Sequence, residues 1–227
     1  MPSVFITGAN RGIGLEFVRQ YATDGWRVFA VCRDPSRADD LRAIKGDIHI
    51  ETLDVGDFDA IEDLAQNLAS EAIDVLINNA GIYGAGPQNL KSLNPEVWIE
   101  TLCINCMAPI YVSRAFVENV ARSAQKIMVA ITSKMGSIDD NTSGGAYIYR
   151  SSKAALNAAV KSLAIDLAPR GITAAVIHPG WVQTDMGGGG APTSVERSVS
   201  GMRKMIGRFG LKDAGRFWSY DGKEIPW

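Results

Sequence analysis

Short stretches of consecutive apolar, β-branched residues alternate along this chain with longer stretches of helical periodicity. SVFIT (3–7), RVFAVC (27–32), IHIETL (48–53), DVLIN (74–78), KIMVAIT (126–132) and ITAAVIH (172–178) read as strands. Residues 12–24, 57–70, 94–122 and 146–168 read as helices between them. Strands that are apolar at successive positions, not at alternate ones, are covered on both faces, as parallel sheets require. The rhythm predicts an α/β fold: a single doubly wound Rossmann-type domain with a mostly parallel seven-stranded sheet and helices on both faces. The seventh strand is expected in RFWSY (216–220), before a turn at Asp221-Gly222, at the sheet edge. One domain is expected to span 1–227, with a cofactor-binding and catalytic core over 3–186. Residues 187–227 then supply a substrate loop, a helix and the final edge strand.

Composition narrows the class. Of 227 residues, 46% are apolar and 21% charged, and the formal net charge is −2, so a full core fits and a nucleic-acid partner does not. The opening MPSVFITGAN lacks the basic lead and long apolar stretch of a signal peptide, and no spanning segment is expected. Cys32, Cys103 and Cys106 are badly spaced for a metal cage, and with only His49 and His178 no metal site is predicted. The cysteines read as reduced core residues of a cytoplasmic protein.

The first candidate for chemistry follows the first strand. Gly8-Ala9-Asn10-Arg11-Gly12-Ile13-Gly14 leads directly into a helix. Glycines permit a tight turn and close approach of a pyrophosphate, and the helix start presents free N–H groups to it. The spacing G-x-x-x-G-x-G differs from the commonest dinucleotide loop and lacks the G-K-[ST] ending of an ATP site. Arg11 lies in the loop, and Arg33 follows the second strand, where the adenosine ribose is read. Two cations there favour NADP(H) over NAD(H), with Asp34 as a weak counterweight.

Further along come NNAG at 78–81, Tyr149-x-x-x-Lys153 and Pro179-Gly180 after the sixth strand. Taken with TGANRGIG, these resemble the short-chain dehydrogenase/reductase family over residues 3–186. HPGWVQTDMGG and the ending DGKEIPW resemble its C-factor and sniffer-type carbonyl reductase branch. The resemblance implies that Tyr149 is the acid/base, Lys153 its partner, Ser133 the substrate-orienting hydroxyl and Asn105 the fourth member of the catalytic set. It further implies cofactor contacts from Gly8, Asn10, Arg11, Gly12, Ile13, Gly14, Arg33, Asp54 and Val55. Asn79, Ala80 and Gly81 are implied on the adenine ribose side, and Pro179, Gly180, Val182 and Thr184 on the nicotinamide side. Asn78 is expected to be structural.

The residue types suit hydride transfer. A tyrosine is ordinarily a weak acid of pKa about 10, and a neighbouring cation favours its phenolate. Positions i and i+4 share a helix face, so Lys153 can lie beside Tyr149, whereas Tyr147 points about 120° away. Tyr149 would give a proton to a carbonyl oxygen while Ser133 holds that oxygen. Pro109 has no N–H for the carbonyl of Asn105, four residues earlier, which is expected to hold a water linking Lys153 to solvent. A Tyr-x-x-x-Lys pair is common on helix surfaces; here Ser133 ends one strand and Tyr149 opens the next helix, at the sheet end where ligands bind.

The glycine-rich 186–193 segment predicts an open, mobile substrate loop and a broad reductase of small aldehydes, ketones or quinones. Helix 153–168 carries a narrow polar stripe of Asn157, Lys161, Ser162 and Asp166, which predicts a homodimer or homotetramer. The competing readings are a non-catalytic dinucleotide-binding regulator of C-factor type and an NAD-dependent alcohol dehydrogenase.

Overall fold

The computed structural model describes all 227 residues. Its strands are β1 (Ser3–Thr7), β2 (Arg27–Cys32), β3 (Ile48–Thr52), β4 (Val75–Asn78), β5 (Ile127–Ile131), β6 (Thr173–His178) and β7 (Phe217–Ser219). They form one sheet in the order β3-β2-β1-β4-β5-β6-β7, with every neighbouring pair parallel. The chain winds outward from β1 to β3 and then returns to β4, so the strand order reverses between β1 and β4. In open sheets of this kind ligands bind at such a switch point, outside the carboxyl ends of the strands.

Why the strands are apolar throughout is visible in the register. Phe5, Phe29, Leu76 and Met128 are aligned across β1, β2, β4 and β5 and enter one core layer. Val4, Val28, Val75 and Ile127, one residue earlier on each strand, enter the other. Successive side chains point to opposite faces, and both faces are covered. Helices α3 (Phe58–Asn67), α5 (Ala108–Ala115) and α7 (Tyr147–Leu167) cover the first through Ile61, Val112 and Leu156. Helices α1 (Gly12–Thr23) and α8 (Val195–Ile206) cover the second through Phe17, Val18, Val199 and Met202. A short α2 (Asp39–Arg42) contributes Leu41 to that same layer.

The helix expected over 94–122 is in fact α4 (Pro95–Leu102), a π-helical segment (Cys103–Met107), α5 and α6 (Val117–Ala121). The Ala108 N–H donates to Cys103 O, five residues back. Pro109 cannot donate at all, so the ladder widens around Asn105. A second break at Phe116 sets its ring 4.4 Å from that of Phe5. The first helix of the expected set runs to Thr23, and the one expected over 57–70 stops at Asn67. No helix is long and apolar enough to cross a membrane.

Asn157, expected on the exposed polar stripe, is buried. The Thr132 hydroxyl donates to its Oδ1 at 2.7 Å, and its amide donates to Gly136 O at 3.3 Å. Its position on α7 faces the sheet, where a satisfied polar pair replaces apolar packing. Lys161, Ser162 and Asp166 are exposed, with Ile165 beside them.

Candidate active site at the carboxyl ends of the strands

The glycine loop is held by the exit of β4. The Thr7 hydroxyl accepts the N–H groups of Asn79 (3.0 Å) and Ala80 (3.1 Å). The Asn79 amide donates back to Thr7 O (3.0 Å) and Gly8 O (3.1 Å). Asn79 and Ala80 therefore brace the loop from behind, with the Asn79 side chain engaged by protein. Gly8 sits at φ +65°, and a Cβ there would lie 3.0 Å from the Cα of Ala80. A Cβ on Gly14 would lie 2.1 Å from Gly8 O, so no side chain is possible. Helix α1 begins at Gly12 with no side-chain cap and no acidic residue in its first turn. Its first N–H groups and positive end stand unopposed, which fits an anionic diphosphate.

At the end of β2, Cys32 is buried and Arg33 is exposed. Asp34 is turned onto its own chain: its carboxylate caps the Pro35–Arg37 turn, accepting the Ser36 N–H at 3.0 Å as well as the Ser36 hydroxyl. The acid that follows Arg33 is thus occupied locally. The Arg11 guanidinium pairs with Asp185 at 3.0 Å, both groups being exposed. The pair links the glycine loop to the segment after β6. Asp54 is exposed and its carboxylate accepts the Gly56 N–H at 3.0 Å. Val55, expected beside it as a contact, buries its side chain in the core, leaving only backbone for a ligand.

Ser133 follows β5 and caps the Lys134–Gly136 turn, its hydroxyl accepting the Met135 N–H at 3.1 Å. Gly136 lets this turn lie directly on α7, since a Cβ there would be 2.8 Å from the Lys153 carbonyl carbon. Tyr149, in the first turn of α7, is buried, and the nearby Ser133 hydroxyl acts on its phenol to favour the phenolate. The Tyr83 ring covers it at 4.8 Å between centroids. Lys153 lies one turn on, its ammonium 5.9 Å from the Tyr149 ring centre and donating to Ile131 O at 2.9 Å. Tyr147 is exposed, away from this group, as the helical spacing requires.

Asn105 completes the cluster through its side chain. Its Oδ1 accepts the Ile82 N–H (2.8 Å), and its amide donates to Ile82 O (2.7 Å) and to Ser152 Oγ (3.0 Å). A Cβ on Gly81 would lie 3.1 Å from Asn105 Oδ1 and 3.6 Å from Lys153 Nζ. Gly81 is therefore the point where Asn105 and Lys153 converge, and a Cβ there would press on the Asn105 amide oxygen. Asn78 is structural, its amide reaching Pro109 O at 3.2 Å and Ser113 Oγ at 3.0 Å.

The electrostatics correct one expectation. Lys153 was expected to make the Tyr149 phenol more acidic. Instead burial pushes that phenol up to about 12, against the lowering effect of the Ser133 hydroxyl. Burial also brings the Lys153 ammonium down to about 8. Both groups have lost water, and desolvation of the charged form is the largest cause of each shift. Burial thus keeps the Tyr149 phenol protonated at neutral pH.

After β6, Gly180 takes φ +88° with the Tyr220 ring 2.8 Å from where its Cβ would be. Pro179 O accepts the Ser198 hydroxyl at 2.5 Å, anchoring the start of α8 to this turn. Val182 is buried, and Thr184 reaches the glycine loop, its Cγ2 3.4 Å from a Cβ on Gly12. The loop expected to be open is pinned at its base. Gln183 N–H donates to Thr193 O (3.0 Å) and Thr193 N–H to Trp181 O (3.2 Å), leaving Gly188, Gly189 and Gly190 in open space at the tip. Trp181 is exposed, its indole donating to Gly187 O at 2.7 Å. Asn10 and Ile13 sit half-buried in the glycine loop.

Thr7, Gln88 and Ser152 belong to the site framework and were not singled out from the sequence. Thr7 had a readable signal, as the residue that ends β1 immediately before Gly8. Gln88 and Ser152 had none, because their partners lie far along the chain.

The sheet order and the ligand crevice at its switch point make this a Rossmann-type α/β protein. Residues 2–193 match the family described as short chain dehydrogenase, and the chain belongs to that family of oxidoreductases. Among curated proteins it is similar to C-signal of Myxococcus xanthus, 43% identical over 163 residues, covering 72% of this chain and 98% of the relative. Among solved structures it is similar to the carbonyl reductase Sniffer of D. melanogaster, with TM-score 0.92, 35% identity and full coverage of both chains. An NADPH-bound carbonyl reductase from chicken fatty liver matches with TM-score 0.91 and 35% identity, over 100% of this chain and 99% of that one.

Proposed function

We propose that the protein is an NADPH-dependent carbonyl reductase acting on small aldehydes, ketones or quinones. The observation that carries this reading is the Tyr149 phenol. It is buried, as is Ser133, at the carboxyl ends of the strands, and burial keeps it protonated. A carbonyl oxygen beside both hydroxyls accepts a hydrogen bond from Ser133 and the proton from Tyr149 as negative charge develops on it. When bound, the reduced nicotinamide supplies the hydride that the carbonyl carbon gains.

The remaining roles follow from position. The amino terminus of α1 holds the diphosphate, with Gly8, Asn10, Gly12, Ile13 and Gly14 as its cradle. Gly81, Pro179, Gly180, Val182 and Thr184 line the path toward Tyr149, and Asp54 and the Val55 backbone stand at the adenine end. Arg33 and, once released from Asp185, Arg11 offer cations to a 2′-phosphate. Lys153 orients ribose hydroxyls and, through a water on the Asn105 carbonyl left free by Pro109, resupplies the Tyr149 proton. The likeness to an NADPH-bound carbonyl reductase supports this choice of cofactor. Residues 3–186 would form the catalytic core and 187–227 the substrate loop and its support. A second copy, covering Ile99 and Ile165, would make a homodimer; a monomer mass by light scattering at micromolar concentration overturns that part.

The test is loss of NADPH absorbance with a panel of carbonyl compounds. Tyr149→Phe is expected to lower turnover by roughly 10²- to 10⁴-fold with NADPH binding unchanged. The likeness to C-signal favours a second reading, a dinucleotide-binding signalling protein. NADPH binding without turnover on any carbonyl would favour that reading over the first.

A further inference from the structure

Helix α7 lacks a cap of its own. Gly144 and Gly145 both hold φ +64°, Ala146 follows at φ +46°, and the Ala146 side chain bonds nothing at the helix start. The first N–H groups of α7 are satisfied from elsewhere. Gln88 O accepts the Tyr147 N–H at 3.3 Å, and Gln88 Oε1 accepts the Tyr149 N–H at 2.8 Å. The other end of the same amide donates to Tyr83 O at 2.7 Å. This network fixes the amide orientation, since the flipped form would set N–H against N–H and oxygen against oxygen. Although its neighbours in the loop are exposed, Gln88 itself is only 7% exposed.

One side chain thus grips the backbones of two residues whose rings face each other, Tyr83 and Tyr149, at 4.8 Å. Tyr83 is further fixed from its other side, because Asn105 clasps both backbone groups of Ile82. We propose that Gln88 is a positioning residue: it caps α7 from a distant loop and thereby sets the Tyr149 phenol against Ser133 and beneath Tyr83. Resting on the reductase reading for its catalytic consequence, this assigns Gln88 no contact with substrate or cofactor. Without the cap, the first turn of α7 loosens, the phenol drifts from Ser133, and water enters under Tyr83. Small displacements of this kind are costly in a site that depends on aligned donors.

Two readouts test it. The first needs neither cofactor nor substrate: hydrogen exchange of the Tyr149 backbone amide, followed by NMR in the wild type, Gln88→Leu and Gln88→Glu. Leucine removes both bonds at similar volume, while glutamate keeps the acceptor for Tyr149 and loses the donor to Tyr83. The amide is expected to be protected in the wild type and Gln88→Glu and unprotected in Gln88→Leu. The second is the pH profile of turnover with the NADPH Kd. Gln88→Leu is expected to lose roughly 10- to 100-fold in kcat, with Kd within about twofold. Its alkaline limb should move to lower pH as water reaches the phenol, and Gln88→Glu should recover most of the loss. Gln88→Leu with an unprotected amide but wild-type kcat and pH profile overturns the proposal. So does Gln88→Glu with a protected amide and turnover no better than Gln88→Leu. Should Gln88→Leu fail to fold, Gln88→Glu still decides, since an unprotected Tyr149 amide there overturns the cap. Absence of turnover in the wild type would strike at the reductase reading alone, and turnover surviving in Tyr149→Phe at the phenol as proton donor, because the exchange result depends on neither.

Discussion

Gly136 and Lys153 meet backbone to backbone: a Cβ on the glycine would stand 2.8 Å from the lysine's carbonyl carbon and 2.9 Å from its Cβ. Through this contact the turn carrying Ser133 rests directly on the helix carrying Tyr149. Catalytic geometry in this molecule is therefore a packing property, decided where a strand's exit touches a helix.

Gly136→Ala is expected to push the Ser133 turn off α7. Overpacking against backbone should cost about 1–3 kcal/mol in urea unfolding. Turnover should fall by roughly tenfold or more at saturating substrate as Ser133 and Tyr149 separate. A variant with wild-type kcat would show that the contact does not set their spacing.

The Lys153 ammonium gives a pH signature. Its folded pKa of about 8 lies below the ordinary value of 10.5. Below pH 8 both folded and unfolded chains bind the proton, and keeping it buried costs on the order of 3 kcal/mol. Between pH 8 and 10.5 the unfolded chain binds more protons than the folded one, so folded stability from this group rises with pH. Relative to Lys153→Met, the wild type should therefore gain on the order of 3 kcal/mol across that window by urea denaturation. A difference that stays flat with pH would remove the depressed lysine. Turnover should be lost in the methionine variant at every pH.

Arg33 stands free at the end of β2 while Asp34 is occupied by Ser36. Arg33→Ala should weaken NADPH binding by about 10- to 100-fold, the worth of a charge-assisted bond, and leave NADH binding within about twofold. Fluorescence titration of both cofactors at two salt concentrations checks this. Equal weakening of both would show that the arginine does not read the 2′-phosphate.

What could be read from the chain alone were features repeated at short range. Rows of apolar residues at strand spacing predicted the two-sided sheet, and the register of Phe5 with Phe29 and of Val4 with Val28 carries them to opposite layers. The glycine loop, Ser133, and the Tyr149-to-Lys153 spacing are likewise local, so their placement together at one sheet end follows from the βαβ winding. Other expectations failed where a residue's partner is remote or its signal is not periodic. Helix 94–122 broke at Pro109, a local signal that apolar periodicity does not register, and again at Phe116, whose ring lies against that of the remote Phe5. Asn157 turned inward to Thr132.

The amino-acid order by itself determined the alternation of strands and helices, the phosphate loop and the helical face shared by Tyr149 and Lys153, because each depends on spacings of a few residues. Only the tertiary structure decided the direction in which those groups shift, since desolvation is a property of everything packed around them. It alone also decided that Gln88, 61 residues before Tyr149, completes that helix, because a cap supplied from another loop leaves no periodic trace in the chain.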